Sequence, residues 1–352
     1  MQKVITGIQQ VGVGVANIHE AFAWYRKHFG MDIKIFDDES TAELMLPHTD
    51  GMPRIRHAIL AMNLQGGGGF EIWQHKGFEP KDAKFELLLG DLGIYITKLK
   101  SSDIHETYRT YLEKGLNILG EMQQDPAGNA HFFVKDPFNN IFQVIEEKTI
   151  FKPQKSANGG ICGCTIGVSD IDRSMKLYAG ILGYNAVVYD KHEVFGDLAE
   201  LPAGNMSCRR VLLKHSKIRI GPFSALYGPT QIELVQVEGR KPQRIFENRI
   251  WGEKGFIHLC FDIVGMDALR KECLENGYPF TVDSSNSFDM GEAAGHFSYI
   301  EDPDGTLIEF VETHRVPIIK KLGWYINLKD RKTVKRLPNW MVSTLAWKRV
   351  KD

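Results

Sequence analysis

A chain of 352 residues with 43% hydrophobic and 25% charged side chains is long enough for two domains of ordinary size and is neither disordered nor fibrous. A formal net charge of -1 gives no electrostatic case for nucleic acid, and no apolar run approaches the length that spans a bilayer. Met1-Gln2-Lys3 leads into a strand-like segment without a signal-peptide core, so a cytoplasmic location is expected, and the five cysteines read as reduced, buried thiols.

In chain order, IQQVGVGV reads as a strand, and Asn17 is an N-cap for the amphipathic helix HEAFAWYRKHFG, which Gly30 ends. MDIKIF, RHAILAM and FEIWQ follow as three more strands, with Gly66 to Gly69 as a hairpin turn. FELLLGDLGIYITKL and SSDIHETYRTYLEKG open a second unit of the same kind, which closes with HFFVKDPFNNIFQVI. A third unit runs from Gly160 to GPTQIELVQV. The fourth runs from GEKGFIHLCFDIV through the helix GMDALRKECLENG to DPDGTLIEFVET.

The chain repeats itself. Gly7 to Gly30 lies on Gly160 to Gly183 without a gap, matching Gly14 with Gly167, Ile18 with Ile171 and Tyr25 with Tyr178. DPFNNIFQVIEE likewise lies on DPDGTLIEFVET, and the polar, Gly-rich stretch KPQKSANGG suits a linker between the halves. Superimposed by pattern, the first strands bring Gln10, Asp91, Gly163 and His258 to one position, and the last strands bring Glu71, Gln143, Glu233 and Glu309 to another. Glu309 stands in the apolar run Leu307-Ile308-Glu309-Phe310-Val311, where an unpaired carboxylate would cost several kcal/mol. It therefore calls for a metal or a cationic side chain.

These units, through GVANIHEAFAWYRKHFG, GVSDIDRSMKLYAGILG, DPFNNIFQV and DPDGTLIEF, resemble the vicinal oxygen chelate superfamily over residues 4 to 315. That superfamily includes glyoxalase I, extradiol dioxygenases and bleomycin-resistance proteins. The resemblance implies an α+β fold of four βαβββ units forming two cup-shaped, curved mixed sheets with helices outside. Residues 1–151 are expected as the first glyoxalase-like domain, 152–160 as the linker, 161–316 as the second domain and 317–352 as a basic, Trp-containing extension.

The same resemblance implies a divalent metal held by residues of the first and last strands, its identity open among zinc, nickel, cobalt, manganese and iron. If the third and fourth units share a cup, the ligands are Glu233, His258 and Glu309. If the first and fourth pair, they are Gln10, Glu71, His258 and Glu309, the residue types of animal glyoxalase I in the same order. Asp91, Gln143 and the remaining positions then form a poorer second site.

With such a metal, the chain is expected to be a lyase, isomerase or epimerase acting on a small oxygenated substrate. Glu309 or Glu233 would move the proton. Competing readings are a metal-free binding protein, an iron dioxygenase with a second histidine drawn from His192, His215 or His296, and plain buried ion pairs at Glu71 and Glu233. The Arg209-Arg210 pair could place a guanidinium in a cup or form a surface salt bridge. A small-molecule partner is expected, nucleic acid and membrane are not, and a homodimer is allowed. In the extension, PNWMVSTLAWKRV reads as a helix with Pro338 near its start, and its tryptophans are expected to pack on the domains with its charges in water.

Overall fold

The structure is a computed structural model that describes residues 2–285, 288–289, 294–319, 324–328 and 334–351. The first unit comprises β1 (Val4–Gly14), α1 (Ile18–Phe29), β2 (Ile33–Thr41), β3 (Ile55–Met62) and β4 (Gly69–His75). The second comprises β5 (Gly93–Ser101), α2 (Ile104–Glu113), β6 (Asn117–Gln124), β7 (Ala130–Lys135) and β8 (Ile141–Glu146). In the third, β9 (Ile161–Gly167) and α3 (Ile171–Met175), prolonged by a π turn over Lys176–Ile181, lead to β10 (Ala186–Glu193) and β11 (Cys208–Lys214). The short α4 (Ser224–Tyr227) and β12 (Gln231–Val237) complete it. The fourth has β13 (Gly255–Val264), α5 (Met266–Glu275), two-residue strands β14 (Val282–Asp283) and β15 (Phe288–Asp289), β16 (Ala294–Glu301) and β17 (Leu307–Ile319). Beyond it lie β18 (Trp324–Asn327) and α6 (Asn339–Ser343).

Local chemistry sets the helix ends. Asn17 accepts from the backbone N–H of His19 and Glu20, and Gly30 takes the left-handed conformation at φ 64° that stops α1. Asp103 and Asp170 cap α2 and α3 in the same way. The start of α5 lacks a local cap, so Glu312 of β17 accepts from the N–H of Gly265 at 2.6 Å.

Two curved mixed sheets result, and they are not built from consecutive halves. One runs β14-β16-β17-β13-β1-β4-β3-β2, with β15 and β18 attached; the other runs β10-β11-β12-β9-β5-β8-β7-β6. The first and fourth units therefore share one cup and the second and third share the other, through the antiparallel pairs β1–β13 and β5–β9. A buried core joins the backs of both sheets, with Tyr25, Phe29, Phe70 and Phe142 in mutual aromatic contact. The matched Tyr and Asp of the repeat span this junction. Tyr25 OH donates to Asp136 Oδ2 at 2.6 Å, and Tyr178 OH to Asp302 Oδ2 at 2.9 Å, each tying a helix of one sheet to a turn of the other.

The polar connection 152–160 is anchored rather than loose: buried Asn158 accepts from Tyr111 OH and donates to the Phe29 carbonyl. All five cysteines are free and buried. In the extension Leu337 and Val342, not Trp340 and Trp347, pack inward. Leu337 and Val342 join a cluster with Ile33, Met62 and Leu226, whereas Trp340 and Trp347 are 61% and 69% exposed. The side chain of Trp324 and residues Lys320, Lys321, Lys329, Arg331 and Lys332 lie outside the described residues. No described helix is long and apolar enough to cross a membrane.

Candidate metal centre

In the first cup, four central strands each contribute one polar side chain. β1 brings Gln10, its parallel neighbour β4 brings Glu71, its antiparallel neighbour β13 brings His258, and β17 beyond it brings Glu309. Gly12 pairs with both Glu71 and His258, and Cys260 pairs with both Gln10 and Glu309, so strand alternation turns these positions to one face. Gln10 Nε2 donates to Glu71 Oε2 at 2.9 Å and to Glu309 Oε2 at 3.3 Å. His258 Nε2 stands 3.2 Å from Glu71 Oε2 and 3.1 Å from Glu309 Oε2. All four residues are buried.

Two local devices shape this arrangement. Between the pairs Gly12–His258 and Val13–Phe256 the register slips, leaving Ile257 as an extra residue; such bulges re-aim the neighbouring side chain. A Cβ on Gly12 would fall 2.4 to 2.8 Å from the imidazole atoms of His258, so only glycine leaves the ring its place. The cup wall is apolar and aromatic. Tyr299 of β16, opposite Glu309, meets the His258 ring edge-on at 5.5 Å, and Trp73 contacts Trp251 at 4.3 Å with Met45 in the same cluster.

The electrostatics of this face are unbalanced. Burial alone would lower the pKa of His258, but Glu309 and Glu71 more than offset that and pull it up to about 9. No Lys or Arg lies within ion-pair distance of either carboxylate among the described residues. The two carboxylate oxygens near Nε2 do not make aligned hydrogen bonds with it, and Gln10 Oε1, also buried, has no partner. Glu71, His258 and Glu309 each offer a ligand atom within 4.8 Å of the others. Two carboxylates, an imidazole and an orphaned amide oxygen, converging with no lysine or arginine among them, fit a divalent cation that would displace the imidazole proton.

The second cup fills the corresponding positions differently. By strand register Thr165 replaces Gly12, Gly163 replaces Gln10, Ile96 replaces His258 and Lys98 replaces Cys260. Glu233 stands for Glu71, Gln143 for Glu309 and Arg210 for Ala58. The set Glu233, His258 and Glu309 is thus not brought together, because β12 and β13 belong to different sheets. Glu233 accepts from Lys98 Nζ at 2.6 Å and Thr165 Oγ1 at 2.9 Å, and pairs with the Arg210 guanidinium. Burial would raise its pKa, but Arg210 and Lys98 hold it well below the usual carboxylate range. Arg210 also binds Asp197 Oδ2 at 2.6 Å, while Phe195, Leu198 and Leu201 around that aspartate join the apolar cluster of this cup.

Asp91 is a correction. It precedes β5, where Arg240 Nη1 (2.6 Å) and two backbone N–H groups hold it, and the β5–β9 register puts Ile96, farther along the strand, at the position of His258. Arg210 is the member of the arginine pair that enters a cup; Arg209 stays outside on Asp190 and Asp172. The three further histidines have other partners: His192 with Glu238, His215 with the Lys217 carbonyl and His296 with Asp283. Gly12, Cys260 and Tyr299 were missed by sequence reasoning. Cys260 and Gly12 carried a signal, as they stand two residues after His258 and Gln10 and therefore on their face.

The family model described as the Glyoxalase/Bleomycin resistance protein/Dioxygenase superfamily matches residues 7–144 and 160–310. No curated protein sequence matches the chain. Among solved structures, glyoxalase I from Zea mays is 14% identical with a TM-score of 0.52, over 88% of this chain and 92% of that one. A putative dioxygenase from Bacillus subtilis is 13% identical with a TM-score of 0.56, over 89% of this chain and 86% of that one. At such identities these likenesses speak for the fold alone.

Proposed function

The chain belongs to the Glyoxalase/Bleomycin resistance protein/Dioxygenase superfamily, and from that premise we propose that its first cup is the centre of a divalent-metal-dependent lyase, isomerase or epimerase. One observation carries this reading: Gln10, Glu71, His258 and Glu309 converge from the four central strands, two carboxylates on a single imidazole, with no lysine or arginine beside them among the described residues. These four residues would hold the ion. Bound there, it supplies Lewis acidity toward two adjacent oxygens of a small substrate.

The side chains divide the remaining work. Gln10 tethers Glu71 at 2.9 Å and Glu309 more loosely at 3.3 Å. Glu309 is therefore the freer carboxylate, and it takes and returns the proton next to the substrate carbonyl at its Oε2. Tyr299, Trp73, Trp251 and Met45 keep water from the reacting face. This set favours proton transfer over dioxygen chemistry, since iron oxygenase centres of the facial-triad kind use two histidines and the cluster holds one.

Metal analysis of protein purified without chelator tests the centre. About one ion per chain is expected, lost in His258→Ala; a metal-free protein that takes up none of zinc, nickel, cobalt, manganese or iron would sink the proposal. Proton transfer is followed by NMR, as solvent deuterium entering α-hydroxycarbonyl probes. Glu309→Gln should slow that exchange at least 100-fold while keeping more metal than His258→Ala.

A further inference from the structure

A surface cleft of about 560 Å³ lies outside both cups, where the segment after β8, the connection from β11 to β12 and the C-terminal extension meet. Its charged lining residues among those described, Lys217, Arg219 and Arg336, are all basic, and no described Asp or Glu lines it. This in a chain of net charge -1 is a local concentration of one sign. None of the three has a carboxylate within ion-pair distance among the described residues. Arg219 donates to backbone carbonyls, Nη2 to Leu182 at 2.9 Å and Nη1 to Ile5 at 3.4 Å, and lies over the Tyr184 ring at 4.9 Å, while its buried Nε has no hydrogen-bond partner. Arg336 Nη2 reaches the Arg219 carbonyl at 3.4 Å.

A fourth cation lies behind the wall. Lys100 is 2% exposed, and its Nζ donates to Thr149 Oγ1 at 3.1 Å and sits 3.6 Å from where a Cβ on Gly228 would be. Thr149 and Gly228 both line the cleft. Burial lowers the pKa of Lys100, and Glu147 offsets this only in part, from beyond ion-pair distance. A buried ammonium without a counter-charge is costly, and an anion seated in the cleft would relieve it. Beside these charges stand Ile150, Phe151 and Ile218, of which Ile218 is 79% exposed.

We infer that this cleft binds a small organic anion, a carboxylate or phosphate monoester on an apolar body. Arg219, Arg336, Lys217 and the ammonium of Lys100 balance the anionic group, and Ile150, Phe151 and Ile218 cover the body. Its volume falls in the range of roughly 300–1,000 Å³ usual for small-molecule sites. The extension acquires a role here, since Arg336 and Asn339 form one wall. This site is independent of the metal centre.

Calorimetric titration of the full chain with phenyl phosphate, hexanoate, inorganic phosphate and uncharged phenol tests it. One of the two organic anions should bind once per chain, at least tenfold tighter than phenol and tighter than inorganic phosphate; which one tells carboxylate from phosphate. Arg336→Gln, an exposed change that leaves the core untouched, and Arg219→Gln should each weaken binding at least tenfold. Lys100→Met should weaken binding and raise the melting temperature, a combination that a purely structural lysine would not give. His258→Ala should leave binding unchanged. Absence of saturable binding by both organic anions, phenol binding as tightly, inorganic phosphate binding as tightly, or an unaffected Arg336→Gln would each overturn the assignment.

Discussion

The two cups present the same strand positions and solve the same electrostatic problem in opposite ways. Each buries carboxylate at the centre of a curved sheet. In the second cup the neutralising charge is covalently part of the chain: Lys98 and Arg210 stand where the first cup has Cys260 and Ala58, and both reach Glu233. In the first cup those positions are small and uncharged, and Gly12 clears space for an imidazole instead. The centre is left with two carboxylates, one histidine and an unpartnered amide oxygen. A fold that supplies its own cation becomes a structural core. One that withholds lysine and arginine leaves room for a cation from solution, and a cation that comes from solution can also meet a substrate.

The sharpest way to break this contrast is to remove a ligand. His258→Ala should abolish stoichiometric metal binding, measured by elemental analysis after dialysis, whereas Arg210→Met in the second cup should leave metal content unchanged. If both variants lose metal equally, the cups are not different in kind.

Next in size is the stability cost of breaking the second cup's ion pairs. Arg210→Met leaves Glu233 and Asp197 short of charge and should cost about 3–5 kcal/mol in chemical denaturation. Replacing Lys98, Arg210, Asp197 and Glu233 together with apolar residues of similar volume should recover most of that loss.

A third test uses Asp262, near the far end of β13 from the candidate metal centre. It is buried, with its pKa pushed up to about 7 by burial and to a lesser extent by Glu312, against partial relief from the Thr6 hydroxyl that donates to its carboxylate. Because the folded-state value lies above the ordinary 3.8, the folded protein binds this proton more tightly. The resulting stability is full below pH 4 and is lost as pH rises through 7. Asp262→Asn should flatten that window, worth on the order of 2–4 kcal/mol, in urea titrations at pH 4, 6 and 8.

Smaller effects follow from the supports of each region. Gly12→Ala should push the imidazole aside, costing about 1–3 kcal/mol and lowering metal affinity, whereas Thr165→Ala at the equivalent place removes one hydrogen bond to Glu233 and should cost about 1 kcal/mol. Tyr25→Phe and Tyr178→Phe, at the matched junctions between sheets, should each cost about 1–2 kcal/mol and leave metal content unchanged.

Much of this was legible in the amino acids because it depends on local rules. The repeat, the four βαβββ units, the caps at Asn17 and Gly30 and the turns at Asp136 and Asp302 all follow from short-range preferences that any copy of these sequences would share. His258 and Glu309 were readable for the same reason, as polar residues inside apolar strands. Which unit pairs with which was not readable: it rests on the contact of β1 with β13 across more than two hundred residues, and any unit offers a similar edge. That contact chose Glu71 and Gln10 over Glu233 as companions of His258. It also decided that Arg210, one of two adjacent arginines with the same chemistry, faces a buried glutamate while Arg209 faces water, since alternation along β11 gives a face its meaning only once the sheet has curled.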